Sequence, residues 1–305
     1  TVSFYSTDLA GNVEEVKTAE VKIDQTAPET ISNANAEWHE EFMVELTSTD
    51  DKAGVKTPFY SVNGAEFKEG SSFVVTEDGI NTISYYSVDK AGNTEEAKMA
   101  EVKIDKSAPE TVSNADDEWH QEFTVELTAT DDKITVAKTF YSVNGAEFAE
   151  GTSFTINEDG INKIEFYSVN KAGGVEEVKT AEVKIDRMAP KTEASESADW
   201  QKEAVIELTA TDDKSGVDQT FFSVNGSDYT EGTSVTVTEA GVNVVSFYSV
   251  DKVGNKEEVK TFEVSIDGIA PETTSNANDE WYQEFAVELT ATDEHSGVAQ
   301  TFYSV

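Results

Sequence analysis

Apolar and polar residues alternate along short segments of this chain, as they do in half-buried β-strands. Between residues 108 and 188, Phe123, Val125 and Leu127 alternate with polar neighbours. This period of two predicts a strand with one face toward a core. The same pattern predicts further strands near residues 140–143, 148–150, 154–156, 164–166 and 181–185.

Turn-forming residues separate these predicted strands. Asn144-Gly145 predicts a two-residue hairpin turn, because both residues tolerate positive φ. Glu150-Gly151 and Glu158-Asp159-Gly160 end the next two strands. No segment has helical periodicity. About seven short strands in one unit, with frequent turns, predict an immunoglobulin-like β-sandwich, and a β-barrel is the alternative.

The whole pattern repeats every 81 residues. Tryptophans recur at this spacing, and so do aspartates that precede an Ala-Pro pair: Trp38, Trp119, Trp200 and Trp281, then Asp24, Asp105, Asp186 and Asp267. A fixed period of domain size indicates tandem folding units. We therefore predict an all-β chain of Ig-like β-sandwich domains in an elongated array. The domains span residues 27–107, 108–188 and 189–269, with the C-terminal part of a repeat at 1–26 and the N-terminal part of another at 270–305.

The linkers between the predicted domains are short. A linker of about four residues that ends in Ala-Pro is too short and too stiff for free tumbling of its neighbours. Because the chain begins late in one repeat and stops early in another, we interpret it as a segment of a longer protein. Within this segment no apolar run approaches the roughly 20 residues of a membrane span.

The composition is strongly acidic. Lys and Arg number 22 against 61 Asp and Glu, which gives a formal net charge of −39, and there is no cysteine. Nucleic acids and anionic lipids bind to cationic patches, so we expect neither as a partner. Small extracellular domains without disulfides need another source of stability, such as core packing or bound metal.

Acidic residues are predicted to meet at the domain junctions. In a seven-strand sandwich, the loop after the second strand and the loop after the sixth strand lie at the end where the chain enters. At the third junction, Asp186 ends the last strand of one domain, Asp212 and Asp213 lie in the first loop of the next, and Asp251 and Asn255 lie in its second loop. Flexible loops that offer only oxygen ligands suit calcium, which takes six to eight of them. We therefore predict a calcium site there.

The other junctions follow by the repeat. At the first junction the predicted ligands are Asp24, Asp50, Asp51, Asp89 and Asn93, at the second Asp105, Asp131, Asp132 and Asn170, and at the fourth Asp267, Asp293 and Glu294. The second junction departs from the pattern, since its loops have Ile134, Asn170 and Gly174 at the repeat-defining positions. We expect it to bind metal most weakly. The alternative at every junction is a solvated turn, because Asp and Asn often bond their own backbone.

Two further residue types recur near these sites. The Glu95-Glu96 pair and its equivalents offer an extra ligand, but a solvated strand edge is the favoured interpretation. The recurring tryptophans either pack on their own domain or form platforms for sugar stacking, and the first is more usual.

The motifs also resemble a known family. EFAVELTATDEHSGVAQTFYSV and TEAGVNVVSFYSVDKVGNKEEV are similar to the bacterial Ig-like repeat named after a leptospiral outer-membrane protein. Its pattern runs from a tryptophan through TATDxxSGV and a YSVDG hairpin to DxAGNxE. The resemblance covers the whole chain, and it implies a secreted or cell-surface bacterial protein in which such repeats form stalks, adhesins, surface layers or appendages to enzymes.

These observations predict a structural protein of the bacterial cell surface. Tandem domains, made rigid by calcium, would span distance as a stalk, a fibre or a surface layer, with other copies or repeats of the same chain and cell-wall or host ligands as partners. The alternative is an adhesin that binds carbohydrate or host protein through exposed aromatic residues on one sheet. We do not expect an enzyme, because there is no cysteine nucleophile, recurring histidine or phosphate loop.

Overall fold

All regular elements of the described chain are β-strands. The computed structural model describes residues 1–195 and 199–305. Within these ranges no helix is long and apolar enough to cross a membrane. The N-terminal fragment contains β1 (Val2–Phe4) and β2 (Lys17–Ala19), which pair antiparallel.

The first complete domain is built from two sheets. Its strands are β3 (Glu29–Ser32), β4 (Trp38–His39), β5 (Phe42–Thr49), β6 (Val55–Val62), β7 (Lys68–Glu69), β8 (Ser72–Val75), β9 (Gly79–Asp89) and β10 (Lys98–Ile104). One sheet has the order β3-β5-β8, and the other has the order β4-β10-β9-β6-β7.

The next domain repeats this arrangement. Its strands are β11 (Glu110–Ser113), β12 (Trp119–His120), β13 (Phe123–Thr130), β14 (Val136–Val143), β15 (Ala149–Glu150), β16 (Ser153–Ile156), β17 (Gly160–Asn170) and β18 (Lys179–Ile185). The sheets have the orders β11-β13-β16 and β12-β18-β17-β14-β15.

The third domain and the C-terminal fragment complete the described strands. They are β19 (Lys191–Ala194), β20 (Ala204–Thr211), β21 (Val217–Val224), β22 (Thr230–Glu231), β23 (Ser234–Val237), β24 (Gly241–Asp251), β25 (Lys260–Ile266), β26 (Glu272–Ser275) and β27 (Leu289–Thr292). The third domain has sheets β19-β20-β23 and β22-β21-β24-β25, while β26 pairs with β27. Gln201 forms a single parallel bridge to Ile266 where the other domains have a tryptophan strand.

The core of each domain lies between its two sheets. In the domain at 108–188, Val125 and Leu127 of β13 meet Ile164 of β17 and Val183 and Ile185 of β18, all buried. The inward residues are the apolar members of the alternating pattern, so packing follows directly from the sequence. Two separate sheets face each other, which confirms the tandem β-sandwich and rules out the alternative of a closed barrel.

Two strands of the domain at 108–188 were not predicted. In β11 the inward residue is Thr111, which is 1% exposed but polar, so the strand shows no apolar alternation. β12 is a two-residue strand that pairs parallel with the end of β18. The hairpin turn was predicted correctly, since Asn144 and Gly145 have φ values of 52° and 77°.

Candidate metal centres at the domain junctions

The third junction brings three aspartates together. Asp186 follows β18, Asp212 follows β20, and Asp251 ends β24. One carboxylate oxygen from each lies within 4.8 Å of the others. Asp186 and Asp251 are buried, at 0% and 1% exposure. The linker and two loops of the following domain therefore meet at one point, as the topology predicted.

The first junction has the same construction. Carboxylate oxygens of Asp24, Asp50 and Asp89 also lie within 4.8 Å of one another. The Asp24 side chain is 4% exposed, and Asp89 is fully buried. Equivalent residues two repeat periods (162 positions) apart thus form equivalent clusters, which are the two such groups among the residues that the structure describes.

The linker aspartate is fixed by hydrogen bonds from its own linker and from the next domain. Asp24 Oδ1 accepts from the backbone N–H of Thr26 at 3.0 Å and from its hydroxyl at 2.7 Å. Asp24 Oδ2 accepts from the N–H of Ala53, in the first loop of the next domain, at 2.8 Å. The hydrogen bonds from Thr26 and Ala53 lower the pKa of Asp24 to about 2. This carboxylate is therefore charged at any physiological pH.

The first-loop aspartate has one satisfied oxygen and one free oxygen. Asp50 Oδ1 accepts from the N–H of Gly54 at 2.6 Å and from that of Lys52 at 3.1 Å. Gly54 has φ of 81°, a conformation that glycine adopts without strain. Asp50 Oδ2 is buried and has no hydrogen-bond partner. A buried carboxylate oxygen without a donor is costly, and a cation in the cluster would satisfy this atom.

The second-loop asparagines have a different role from the predicted oxygen ligand. Asn255 Nδ2 donates to Asp251 Oδ2 at 2.7 Å and to the carbonyl of Asp186 at 2.9 Å. Its Oδ1 faces away and accepts from Gln121 Nε2 of the preceding domain at 3.1 Å. Asn93 donates in the same way to Asp89 and to the carbonyl of Asp24. These amides orient the aspartates and join the linker to the loop.

The second residue of each acidic pair points away from its cluster. All four are exposed and lie outside the groups of converging carboxylates: Asp51, Asp132, Asp213 and Glu294. Their prediction as ligands therefore has no geometric support, because adjacent residues in a tight turn direct their side chains differently.

The second and fourth junctions have fewer converging carboxylates. At the second, Asp131 is joined by Asn170 instead of a second-loop aspartate, and Lys133 Nζ lies 3.3 Å from Asp105 Oδ1. At the fourth, Asp267 Oδ2 accepts from the N–H of Ser296 at 3.0 Å, and Asp293 Oδ1 accepts from that of Gly297 at 2.8 Å.

Asp186 and Asp89 remain ionised despite their burial. Burial alone would raise the pKa of Asp186, but hydrogen bonds from Ser215 and Met188 outweigh it and lower that pKa. The same balance lowers the pKa of Asp89, where Asn93 supplies the hydrogen bonds. Ionised carboxylates at such short separations repel one another unless a cation lies between them.

The donor set fits a hard divalent cation. Each cluster offers carboxylate oxygens from three segments, with backbone carbonyls nearby and no thiolate, since the chain has no cysteine. Calcium accepts six to eight oxygen ligands in irregular geometry, whereas zinc prefers nitrogen and sulfur ligands. The residues present therefore fit calcium.

The first glutamate of each recurring pair proves to be a structural residue. Glu176 Oε1 accepts from the backbone N–H of Thr111 at 2.7 Å, and Oε2 accepts from that of Ser168 at 3.1 Å. The Lys179 ammonium lies 2.8 Å from Oε1. The interpretation as a solvated strand edge was wrong for Glu176, which is 7% exposed. This glutamate connects β11 to the sheet that contains β17 and β18.

An aromatic cluster recurs on the outer sheet face of each complete domain. Phe59 and Tyr86 stack with ring centroids 5.1 Å apart, and Phe67 packs edge-on against Tyr86 at 4.9 Å. Phe67 is 44% exposed. The equivalent clusters consist of Phe140, Phe148 and Tyr167, and of Phe221, Tyr229 and Tyr248. The sequence predicted exposed aromatic residues on one sheet for the adhesin alternative but assigned none of them, although aromatic residues at outward positions of β6 and β9 were a visible signal.

Comparisons with known proteins concern the fold. No protein-family model and no curated protein sequence matches the chain. Among solved structures it is similar to fibronectin(III)-like modules of Clostridium thermocellum CbhA, with 12% identity over 52% of this chain and 94% of that one and a TM-score of 0.33. It is also similar to the FN1–FN3 domains of chicken CNTN1, with 9% identity, coverage of 77% and 97%, and a TM-score of 0.26. A third similarity is to the sialic acid binding region of a Streptococcus sanguinis adhesin, with 15% identity, coverage of 80% and 78%, and a TM-score of 0.24.

Proposed function

We propose that this chain is a structural spacer of the bacterial cell surface, in which calcium makes the domain junctions rigid. The observation that carries the proposal is the meeting of linker and loop carboxylates within 4.8 Å at the first and third junctions. At the first junction, the buried Asp50 Oδ2 that lacks a donor supports a bound cation. The resemblance to the leptospiral-named repeat family stays a prediction and agrees with this role.

Rigidity follows from where the ligands are located. Each cluster takes one ligand from the linker and two from loops of the following domain, so a bound ion holds the linker against that domain. At ten- to a hundredfold excess over its dissociation constant, calcium would stabilise a junction by about 1.4–2.7 kcal/mol. Extracellular calcium modules have dissociation constants of roughly 10⁻⁴–10⁻³ M, which suits a surface location. Other copies or repeats of the chain would extend the spacer.

Calorimetric calcium titration of adjacent variants tests this function. Asp212→Asn removes a clustered carboxylate, whereas Asp213→Asn removes the exposed carboxylate beside it with the same change in charge. We expect Asp212→Asn to lose one bound calcium and the associated rise in melting temperature, and Asp213→Asn to retain both. Equal effects of the two substitutions would show that calcium only screens surface charge.

The aromatic clusters favour a second candidate function, carbohydrate binding. Exposed aromatic rings stack on sugar faces, and three equivalent clusters along one chain would give avidity. Lys256 Nζ lies 3.7 Å from the centre of the Tyr248 ring and adds a polar contact beside it. Glycan-array binding that disappears in the variant Phe67→Ala, Phe148→Ala, Tyr229→Ala would support this function, and no binding by the unaltered chain would refute it.

A further inference from the structure

The second junction differs from its neighbours in both of its loops. Its first loop has Ile134 and Thr135 where the first and third junctions have a small residue followed by glycine. Its second loop has Asn170 and Gly174 where the others have an aspartate and an asparagine. The structure shows that these replacements act together.

Asn170 supplies a donor in place of a carboxylate. Its Nδ2 donates to Asp131 Oδ2 at 3.1 Å and to the carbonyl of Ser107 in the linker at 2.9 Å. At the first and third junctions the equivalent residues, Asp89 and Asp251, direct carboxylate oxygens into the cluster. The replacement removes one negative charge and satisfies another carboxylate without a metal.

Gly174 allows the linker to approach this loop. A Cβ at Gly174 would lie 2.4 Å from the carbonyl oxygen of Ser107 and 2.9 Å from Asn170 Nδ2. No side chain can occupy that position while the linker carbonyl accepts the Asn170 hydrogen bond. The asparagine of the other junctions is therefore incompatible with this arrangement, which explains why both loop positions differ.

Lys133 provides the positive charge. Its Nζ lies 2.7 Å and 2.9 Å from the two carboxylate oxygens of Asp78 in the preceding domain, and 3.3 Å from Asp105 Oδ1 in the linker. One ammonium thus connects the preceding domain, the linker and its own loop. The Asp105 side chain is fully buried, and Lys133 is the ammonium that pairs with it, through Oδ1, while Asp105 Oδ2 has no hydrogen-bond partner.

The equivalent lysines differ in their contact with the linker aspartate. Lys214 keeps the ion pair with the preceding domain, bonding Asp159 at 2.5 Å, but makes none with Asp186, and Lys52 Nζ lies 4.0 Å from Asp24. Neither is as close to its linker aspartate as Lys133 is. Around the linker aspartate, the second junction therefore combines the carboxylates of Asp105 and Asp131 with one ammonium and one amide donor, whereas the first and third each combine three carboxylates with an amide donor.

We propose that the second junction is a metal-independent joint, in which Lys133 and Asn170 do what calcium does at the first and third junctions. The calcium-dependent part of this statement rests on the proposed function. Withdrawal of calcium then loosens the first and third junctions, while the domains at 27–107 and 108–188 stay held as a pair. The chain is a series of joints with different responses to calcium.

Spin labels at equivalent exposed positions test this difference in the full chain. The sequence has no cysteine, so labels can be attached at introduced cysteines alone. The pair Glu66→Cys and Glu147→Cys spans the second junction, and the pair Glu147→Cys and Asp228→Cys spans the third. Pulsed electron paramagnetic resonance would measure both distance distributions in calcium and in chelator.

We expect the pair across the second junction to keep one narrow distribution in both conditions. We expect the pair across the third junction to lose its narrow distribution in chelator. If the distance distribution across the second junction is narrow only with calcium, or is broad in both conditions, the inference is wrong. If the third junction does not respond to calcium, the proposed function is wrong, whatever the second junction does.

Lys133→Met separates the role of the lysine from that of a bound metal. We expect this variant to lose the narrow distribution across the second junction in both calcium and chelator. Lys171→Met is the matched control, because Lys171 is an exposed lysine of the neighbouring loop. If the distance distribution across the second junction stays narrow in Lys133→Met, the assignment of Lys133 is wrong. A circular dichroism melt of each variant checks that the domains remain folded.

Discussion

Each complete domain contains a glutamate whose carboxylate accepts backbone hydrogen bonds and pairs with a lysine. Glu176 accepts two backbone N–H groups and pairs with Lys179, so replacement by a neutral amide would place an NH₂ group against donors. We expect Glu176→Gln to destabilise the domain at 108–188 by about 2 kcal/mol. Hydrogen exchange measured by mass spectrometry should then be roughly thirtyfold faster in its core strands. Glu177→Gln, which changes an exposed neighbour, should leave exchange unaltered; equal rates in both variants would contradict this role.

The same carboxylates make stability depend on pH. Burial would raise the pKa of Glu176 and of Glu257, but hydrogen bonds from threonine and lysine outweigh it and lower both below the ordinary 4.5. Asp186 is lowered below 3.8 in the same way. A depressed folded-state pKa stabilises the fold above the unfolded pKa, and this contribution is lost as the pH falls through the folded value.

We therefore expect the melting temperature of calcium-free protein to be flat above about pH 5 and to fall steadily below it. Differential scanning calorimetry across that range measures this. The double variant Glu176→Gln, Glu257→Gln should start lower and fall less steeply. A melting temperature that rises on acidification would mean that relief of carboxylate repulsion dominates instead.

At the scale of the loops, the presence of a glycine in the first loop of a domain determines whether the linker aspartate receives a backbone hydrogen bond from that loop. Gly216 has φ of 83°, and its N–H donates to Asp212 Oδ1 at 2.8 Å while that of Ser215 reaches Asp186 Oδ2 at 3.0 Å. At the second junction Thr135 takes the glycine position, and Asp105 Oδ2 has no partner. The hydrogen bond to the linker aspartate therefore accompanies the glycine turn.

Gly216→Ala should strain this turn. A left-handed conformation costs an alanine about 1–2 kcal/mol, so we expect a comparable loss of stability and weaker calcium binding at the third junction. Gly268→Ala is the control, because a Cβ there would meet only ordinary contacts, 3.8 Å from the carbonyl of Lys202. Calcium titration and thermal melting of both variants check this. Equal affinities would show that the loop tolerates other conformations.

Most of the strands and the meeting of the loops could be predicted from the sequence, but the orientation of the loop side chains could not. Alternation identified strands such as β13 and β17, and the repeat brought Asp186, Asp212 and Asp251 to one junction. The orientation of neighbouring loop side chains depends on turn dihedral angles, so the exposure of Asp213 was not predictable. The role of Glu176 was also hidden, because its partner Thr111 lies 65 residues earlier in the chain.

At the scale of the whole chain, charge and metal act in opposite directions. A formal net charge of −39 makes the domains repel one another, and at physiological salt the repulsion extends only over a Debye length of about 8 Å. Carboxylates that face each other across a junction lie well inside that distance. General screening by salt therefore weakens repulsion everywhere, whereas a bound cation changes the geometry only where ligands converge.

Small-angle scattering of the full chain can separate these two effects. At fixed salt, we expect calcium to lengthen and stiffen the scattering profile, and chelator to reverse this, because the first and third junctions alternate between bound and repelling states. The double variant Asp50→Asn, Asp212→Asn should give the chelated profile even in calcium, since it removes one ligand from each cluster. The double variant Asp51→Asn, Asp213→Asn changes the net charge equally but alters only exposed carboxylates, so it should respond to calcium as the unaltered chain does. If both double variants lose the response, the stiffening depends on total charge and the clusters have no special part in it.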